Sequence, residues 1–330
     1  SPRNTYQCAM GKQAIGSIGY NQLARTDTIL YLMVYPQQPL VKTFTIELTN
    51  YDKLPAGQNA SIAVMSYSGY DIEDAVILNK ASLDRGFGRV MVIKRHQGEM
   101  KKFDNGSNEV RKAPEKTEKE NYHKKKVVSH IEQKYHAIDK DGLPFIGSKL
   151  NNGDVYVNKY TPLNKSQLIN EEEQLYTPSP ISYKGSTPSI VDRVMVTSTP
   201  LNPELIKVIT RQVRRPELGD KFSSRHGQKG VVGLIVDQEN MPFSECGWCP
   251  DLIMNPHGYP SRMTVGKLIE LVAGKSAVLD GELKYGTAFN SDKVQDMSDI
   301  LLQNGFSVSG KDLLYDGITG EPIECAVYSG

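Results

Sequence analysis

The sequence predicts an α+β fold dominated by strands, with a small β module inserted into it. Three features carry that expectation. Apolar and β-branched residues cluster in short runs at 28–35, 43–48 and 62–67, each bounded by Pro, Gly, Asn or Asp. A stretch from 94 to 130 holds eleven Lys/Arg and six Asp/Glu with almost no apolar periodicity, so the strand pattern breaks there. Sustained helical patterning appears only towards the end of the chain.

In order, residues 1–89 read as mostly strand, with one short helix. Asn79 can cap a turn running from Lys80 to Arg85, and Gly86 can end it in a left-handed conformation. Residues 88–94 return to strand, and 94–130 read as a solvated, charged insertion. Short strands such as 191–197 follow, separated by connections containing Pro178, Pro180, Pro188, Pro200 and Pro203. The expected organisation is therefore a main domain at 1–89 and 215–330, interrupted by a β module at 90–214. Beyond Pro216 come a Gly- and charge-dense loop and a strand at 231–236. Thr264 can cap a helix whose Leu268, Leu271, Val272 and Lys275 share a face; Ser291 can cap another, reaching Gln303 with Gly305 at its end.

Composition excludes several classes. The longest apolar run, 29–35, is far too short to span a bilayer. Lys+Arg 39 against Asp+Glu 38 rules out a uniformly basic coat for nucleic acid, though not a basic groove balanced by acid elsewhere. Four scattered cysteines do not make a disulfide framework, and a reducing, intracellular setting is expected. The first residue is Ser and the last run is strand-like, so the chain is expected to be a fragment of a longer polypeptide.

The densest chemistry lies at 219–230, Gly-Asp-Lys-Phe-Ser-Ser-Arg-His-Gly-Gln-Lys-Gly. Between 207 and 233 there are seven Lys/Arg against two acids, with glycines at 219, 227, 230 and 233 that let backbone approach a ligand closely. Lys221 and Lys229 flank a Gly-bearing turn, so a strand pair can aim both ammonium groups at one phosphate-bearing ligand; the bland alternative is an exposed basic loop. A second candidate is Asp71-Ile72-Glu73-Asp74, whose carboxylates on a tight turn suit Mg²⁺ shared with substrate phosphates. Against it stands the ordinary preference of acids for a helix N-terminus. Third, Arg262 follows the turn Asn255-Pro-His-Gly-Tyr-Pro260 and opens a helix, where a guanidinium can fork onto a phosphate. Two decoys fail on spacing. Gly274-Lys275-Ser276 has Ile269 where a P-loop needs its first glycine, and Cys246-Gly-Trp-Cys249 has no second metal-binding pair, so no zinc site is expected.

Taken together, Ser1-Pro-Arg-Asn-Thr-Tyr-Gln7 with Ala9-Met-Gly-Lys-Gln13, Ser68-Gly-Tyr-Asp-Ile-Glu-Asp74, the 219–230 motif and Asn255-Pro-His-Gly-Tyr-Pro-Ser-Arg-Met-Thr264 stand in the order found in one family. The chain resembles the second-largest subunit of multisubunit DNA-directed RNA polymerases. Tyr6-Gln-Cys-Ala-Met10, Leu54-Pro-Ala-Gly-Gln-Asn59 and Gly317-Ile-Thr-Gly-Glu-Pro322 resemble the eukaryotic polymerase III form more than those of polymerases I or II.

That resemblance implies a hybrid-binding domain at 1–89 and 215–330 containing a double-psi β-barrel, and a wall, or flap, module at 90–214. It implies that Lys221 and Lys229 contact phosphates near the growing RNA 3′ end and the incoming nucleotide, and that Arg3 and Arg262 hold the triphosphate. Gln13, Arg225 and His226 join Lys221 and Lys229 as nucleic-acid contacts, and Asp74 with Glu73 lies near a second, nucleotide-borne Mg²⁺. The implied partners are the largest and other polymerase subunits, template DNA, the RNA–DNA hybrid and nucleoside triphosphates, in the nucleus. The family's Asn-Ala-Asp-Phe-Asp-Gly-Asp motif, which holds the permanent Mg²⁺ on the largest subunit, is absent from this sequence, so the chain alone is expected to be inert. The rival reading is a non-catalytic nucleic-acid-binding β module that tracks backbone.

Overall fold

The computed structural model describes residues 1–114, 134–163, 175–200 and 202–330. In chain order, the elements that matter are helix α1 (Arg3–Gly11), strands β1 (Ile29–Met33), β2 (Ile62–Val64) and β3 (Ala75–Asn79), helix α2 (Lys80–Arg85), and strands β4 (Val90–Met100), β5 (Lys149–Leu150), β6 (Ser189–Thr197), β7 (Glu204–Arg214), β8 (Lys221–Ser223), β9 (Lys229–Val236) and β10 (Leu252–Met254). They are followed by helices α3 (Gly258–Arg262), α4 (Val265–Asp280) and α5 (Val294–Gln303), then strands β11 (Lys311–Asp312) and β12 (Val327–Ser329). The fold is α+β and strand-rich. It divides into two compact units, one formed by Ser1–Leu23, Leu32–Val90 and Arg214–Gly330, the other by Ala24–Tyr31 and Met91–Val213.

The first unit is built on a seven-stranded sheet ordered β8-β9-β3-β10-β2-β12-β11. β9 runs parallel to β3 and β10 parallel to β2, while β3 and β10 are antiparallel. Strand β3 is covered on both faces, which is why Ala75-Val-Ile-Leu78 is apolar without alternation. Ile77 points to one side, into a core with Ala63, Met241, Ile253, Leu314 and Val327; Val76 and Leu78 point to the other, with Leu83, Val232 and Leu252. Each such fully buried aliphatic side chain contributes roughly 1.5–3 kcal/mol. Helix α4 closes one end of this sheet through Leu268 and Leu271, which pack on Val64 and Tyr259.

The second unit is built on a five-stranded sheet ordered β1-β4-β7-β6-β5. Its core gathers Met100, Leu143, Leu150, Tyr156, Val157, Val191, Ile206 and Val208. Buried Glu109 is held there by Lys159 at 2.8 Å and Thr161 at 2.9 Å.

Several expectations change. The short helix after Asn79 forms as read: the Asn79 side chain accepts from the Ala81 N–H at 3.0 Å and Gly86 closes the helix at φ 115°. Residues 1–11, read within a strand-rich region, begin instead with α1, which buries none of its residues and has no side-chain cap. Its conformation is set by distant contacts rather than by its own pattern. The β-branched run 43–48 is not a strand either; Phe44–Leu48 is a five-residue helix, closed by the Thr49 hydroxyl on the Thr45 carbonyl at 2.9 Å and by a Glu47–Lys42 ion pair at 2.8 Å.

Strand β4 continues through the charged residues to Met100, because Gly98 and Met100 turn inward while Gln97 faces water. Folded structure therefore extends into the 94–130 insertion, of which residues 115–133 lie outside the described residues. Ser291 lies in the short strand Asn290–Ser291, and Lys293 occupies the N-cap position of α5. The double-psi barrel is not closed by the pairings of the described strands: the sheet stays open at β8 and β11, three and two residues long, which do not pair with each other.

Candidate active-centre surface

Antiparallel pairing fixes how the basic hairpin presents itself. Lys221 lies opposite Val231, Phe222 opposite Gly230 and Ser223 opposite Lys229. Directly opposed residues share a face and successive residues alternate, so Lys221, Ser223, Lys229 and Val231 all lie on one side. All four are exposed. Phe222 points the other way, stacked on Phe87 with ring centroids 5.9 Å apart, and anchors the hairpin to the core. The two lysines are diagonal neighbours, and neither forms an ion pair among the described residues. Gly230 is required by close approach: a Cβ there would meet Val76 Cγ1 at 2.8 Å and the Asp74 carbonyl oxygen at 3.2 Å.

The acidic turn adjoins this hairpin. The Val231 N–H donates to the Asp74 carbonyl at 2.7 Å. Ser68, Gly69, Glu73 and Asp74 all have positive φ, which winds the turn left-handed, and buried Asp71 stabilises it by accepting from the Tyr67 N–H at 2.9 Å. Glu73 and Asp74 are left exposed ahead of β3. Since the apolar run that follows is a strand, a helix dipole does not explain these acids. The Asp74 carboxylate forms an ion pair with Arg262 at the end of α3.

Helix α1 completes the surface. The Ser1 hydroxyl donates to the Arg262 carbonyl at 2.8 Å, and the Ser223 hydroxyl contacts the Met10 sulfur at 2.9 Å, so α1 is tied to both α3 and β8. Arg3 lies over the Tyr6 ring, 4.5 Å from its centroid, and forms no ion pair among the described residues. Gln13 extends, exposed, just beyond the helix, its N–H donating to the Met10 carbonyl at 3.0 Å. Gly227, at the hairpin tip, has φ 71°, and a Cβ there would fall 2.7 Å from the Arg3 carbonyl oxygen and 3.1 Å from Tyr6 Cβ. Gly227→Ala should therefore push α1 off the hairpin, adding a left-handed penalty of about 1–2 kcal/mol to the steric clash. Faster hydrogen exchange along α1 is the expected result; unchanged protection would refute it.

Arg225 and His226 are both engaged inside the unit. Arg225 donates to the Val41 carbonyl at 2.7 Å and pairs with Glu270, whose second oxygen meets His226 Nε2. Burial by itself would raise the Glu270 carboxyl, but the hydrogen bonds and charges of His226 and Arg225 override it and hold it at about 2. One turn earlier on α4, Lys267 is buried, and desolvation pushes its amine down to about 8 against the opposing pull of Glu270. Thr264, read as a cap, makes no side-chain capping bond; its hydroxyl accepts from buried Gln228 instead. A cavity of about 250 Å³ opens between α1, the hairpin tip and the start of α4, lined by Arg3, Asn4, His226 and Thr264 among others.

The structure thus joins Arg3, Asp74, Lys221, Arg225, His226, Lys229 and Arg262 through direct contacts or shared strands, with Glu73 next to Asp74 and Gln13 just past the end of α1. Sequence reasoning missed Glu270. The only signal was a lone carboxylate inside the apolar helical run Leu268-Ile-Glu-Leu271. Among the described residues no group of three or more His, Cys, Asp or Glu is placed to hold a metal ion, and all four cysteines are free. Glu73 and Asp74 fit a hard cation only as partial ligands, sharing it with oxygens from elsewhere.

The strand-borne lysines, the Arg262–Asp74 pair and α1 all belong to the first compact unit. Residues 1–330 match the model of RNA polymerase Rpb2, domain 6, and the chain belongs to that family. It is 55% identical over its whole length to DNA-directed RNA polymerase III subunit RPC2 of Schizosaccharomyces pombe, covering 28% of that protein, and 54% identical to RPC2 of Drosophila melanogaster, covering 29%. Identity to DNA-directed RNA polymerase II subunit 2 of Arabidopsis thaliana is 40%, over 27% of its length. The chain therefore spans less than a third of the curated relatives it matches.

Proposed function

We propose that this chain is a segment of a polymerase III-type second-largest subunit, and that it contributes phosphate and RNA–DNA hybrid contacts to template-directed nucleotidyl transfer. The observation that carries the reading is the pair Lys221 and Lys229, exposed on one face of a core-anchored hairpin without ion-pair partners among the described residues. Two fixed cations beside open surface suit a polyanion, and charges held by a strand ladder need little reorganisation as phosphoryl charge develops. In this reading Arg3 and Arg262 hold the nucleotide triphosphate, and Asp74, released in part from Arg262, faces with Glu73 the Mg²⁺ that the nucleotide brings. That ion would supply Lewis-acid stabilisation of the transferring phosphoryl group. Gln13, Arg225 and His226 extend the contact along the hybrid.

The reading keeps a hybrid-binding domain at 1–89 and 215–330 and a wall module at 90–214, supported by the two compact units except at Ala24–Tyr31, which group with Met91–Val213. A double-psi barrel remains part of it, supported by the mixed parallel and antiparallel ladder around β3 and β10. The largest subunit and other polymerase subunits are its partners, template DNA and the hybrid its ligands, the nucleus its place; without the largest subunit's aspartates the chain is inert.

The test is binding of the chain to a short RNA–DNA hybrid against duplex DNA across a salt series. Lys221→Ala/Lys229→Ala is expected to flatten the plot of log affinity against log salt by about two units and to remove the preference for hybrid. A hybrid preference and salt slope that survive the double substitution would sink the assignment.

A further inference from the structure

We propose that Glu270 is a positioning residue for nucleotide addition, clasping the tip of the lysine hairpin from α4 and so setting where Lys221 and Lys229 stand. The inference rests on the reading of those lysines as phosphate contacts.

The hairpin tip, residues 224–228, lies between the two lysines and does little to hold its own shape. Its internal bonds are long: the Ser224 N–H to the Gln228 carbonyl at 3.3 Å and the His226 N–H to the Ser224 hydroxyl at 3.3 Å. Strand β8 contributes only three residues to the ladder. The tip is defined from outside, and the Glu270 carboxylate spends both oxygens on it, one on Arg225 and one on His226. Bonds between ionised partners are roughly twice as strong as neutral ones, so this clasp outweighs the neutral Gln228–Thr264 contact beside it. Its base is a sixteen-residue helix packed on the sheet, which makes Glu270 a fixed point.

Its place in the chain matters as much as its strength. Arg225 and His226 lie four and three residues from Lys221 and Lys229 respectively, so tilting the tip moves both lysines together. A displacement near 1 Å of a group facing reacting phosphate can cost on the order of 100-fold in rate. Helix α4 begins just beyond Arg262 and Met263, so the same helix that holds the hairpin also follows the Asp74 partner.

The experiment is a double-mutant cycle in the assembled polymerase, reading the maximal rate of single-nucleotide addition per assembled complex. Glu270→Gln, which keeps size and removes charge, should lower that rate about ten-fold or more. In a Lys221→Ala/Lys229→Ala background the same change should cost less than about two-fold, because nothing remains to be positioned. Glu270→Asp should recover part of the rate. Equal losses in both backgrounds, or no loss in either, would overturn the proposal. Should Glu270→Gln prevent assembly, Glu270→Asp, which keeps the charge but shortens its reach to Arg225 and His226, is judged by the same two backgrounds. A lysine double variant that adds nucleotides at the normal rate defeats both the functional reading and this inference. A slow lysine variant beside a fast Glu270→Gln enzyme defeats this inference alone.

Discussion

Lys229→Ala in the assembled polymerase is expected to slow single-nucleotide addition by about 100-fold while weakening hybrid binding only a few-fold. Removing one preorganised donor aimed at developing charge typically costs 10²–10³ in rate, whereas one phosphate contact among many carries a small share of binding. Lys229 has the attributes such a donor needs. It is exposed, it forms no ion pair among the described residues, and it sits beside Gly230, whose backbone is wedged against Val76 and Asp74. Rapid-quench measurement of one addition step, paired with hybrid affinity at matched salt, separates the two effects. A rate within about two-fold of normal, with affinity falling instead, would favour a lysine that merely tracks backbone.

The second large effect concerns stability. Lys267 is 4% exposed, and its amine is pushed from 10.5 to about 8. A lysine with a lowered folded pKa destabilises below that value, where the folded state must bury a charge. Between about pH 8 and 10.5 the unfolded chain binds a proton that the folded chain has released, so stability rises with pH across that window. At 1.36 kcal/mol per unit the burden at neutral pH is about 3 kcal/mol. Lys267→Met should therefore raise the urea midpoint at pH 7 and abolish most of the gain that the unsubstituted chain shows between pH 8 and 10. A lower midpoint for Lys267→Met at pH 7 would mean that the ammonium is stabilised by contacts stronger than its burial.

What the sequence revealed follows from how local each determinant is. Helix α2 was legible because its cap, Asn79, and its stop, Gly86, lie within the element itself. The lysine hairpin was legible for the same reason: Gly227 marks its turn and the two lysines flank it. Helix α1 was not, since the contacts that specify it reach from Ser1 to Arg262 and from Met10 to Ser223. The run 43–48 misled because β-branched residues favour strands only where a neighbouring strand is available; here Lys42 and Thr49 close a single helical turn instead. Strand β4 outran its expected end because charged residues on its exposed side hide the inward alternation of Gly98 and Met100. Glu270 left only the faint signal of a carboxylate inside an apolar helical run, because the groups it clasps, Arg225 and His226, lie on a different element altogether.

The pairing of β3 has a consequence for the order in which the protein is made. Both neighbours of this strand, β9 and β10, lie downstream, and the whole second unit is encoded before either of them. At a synthesis rate of about 5–20 residues per second, the roughly 150 residues between β3 and β9 take on the order of ten to thirty seconds to emerge. Throughout that interval Ala75-Val-Ile-Leu78, whose last three side chains end almost fully buried, has neither of its partner strands to join. The inserted unit can condense on the ribosome while the surrounding sheet cannot, leaving a waiting hydrophobic strand for holding chaperones to shield.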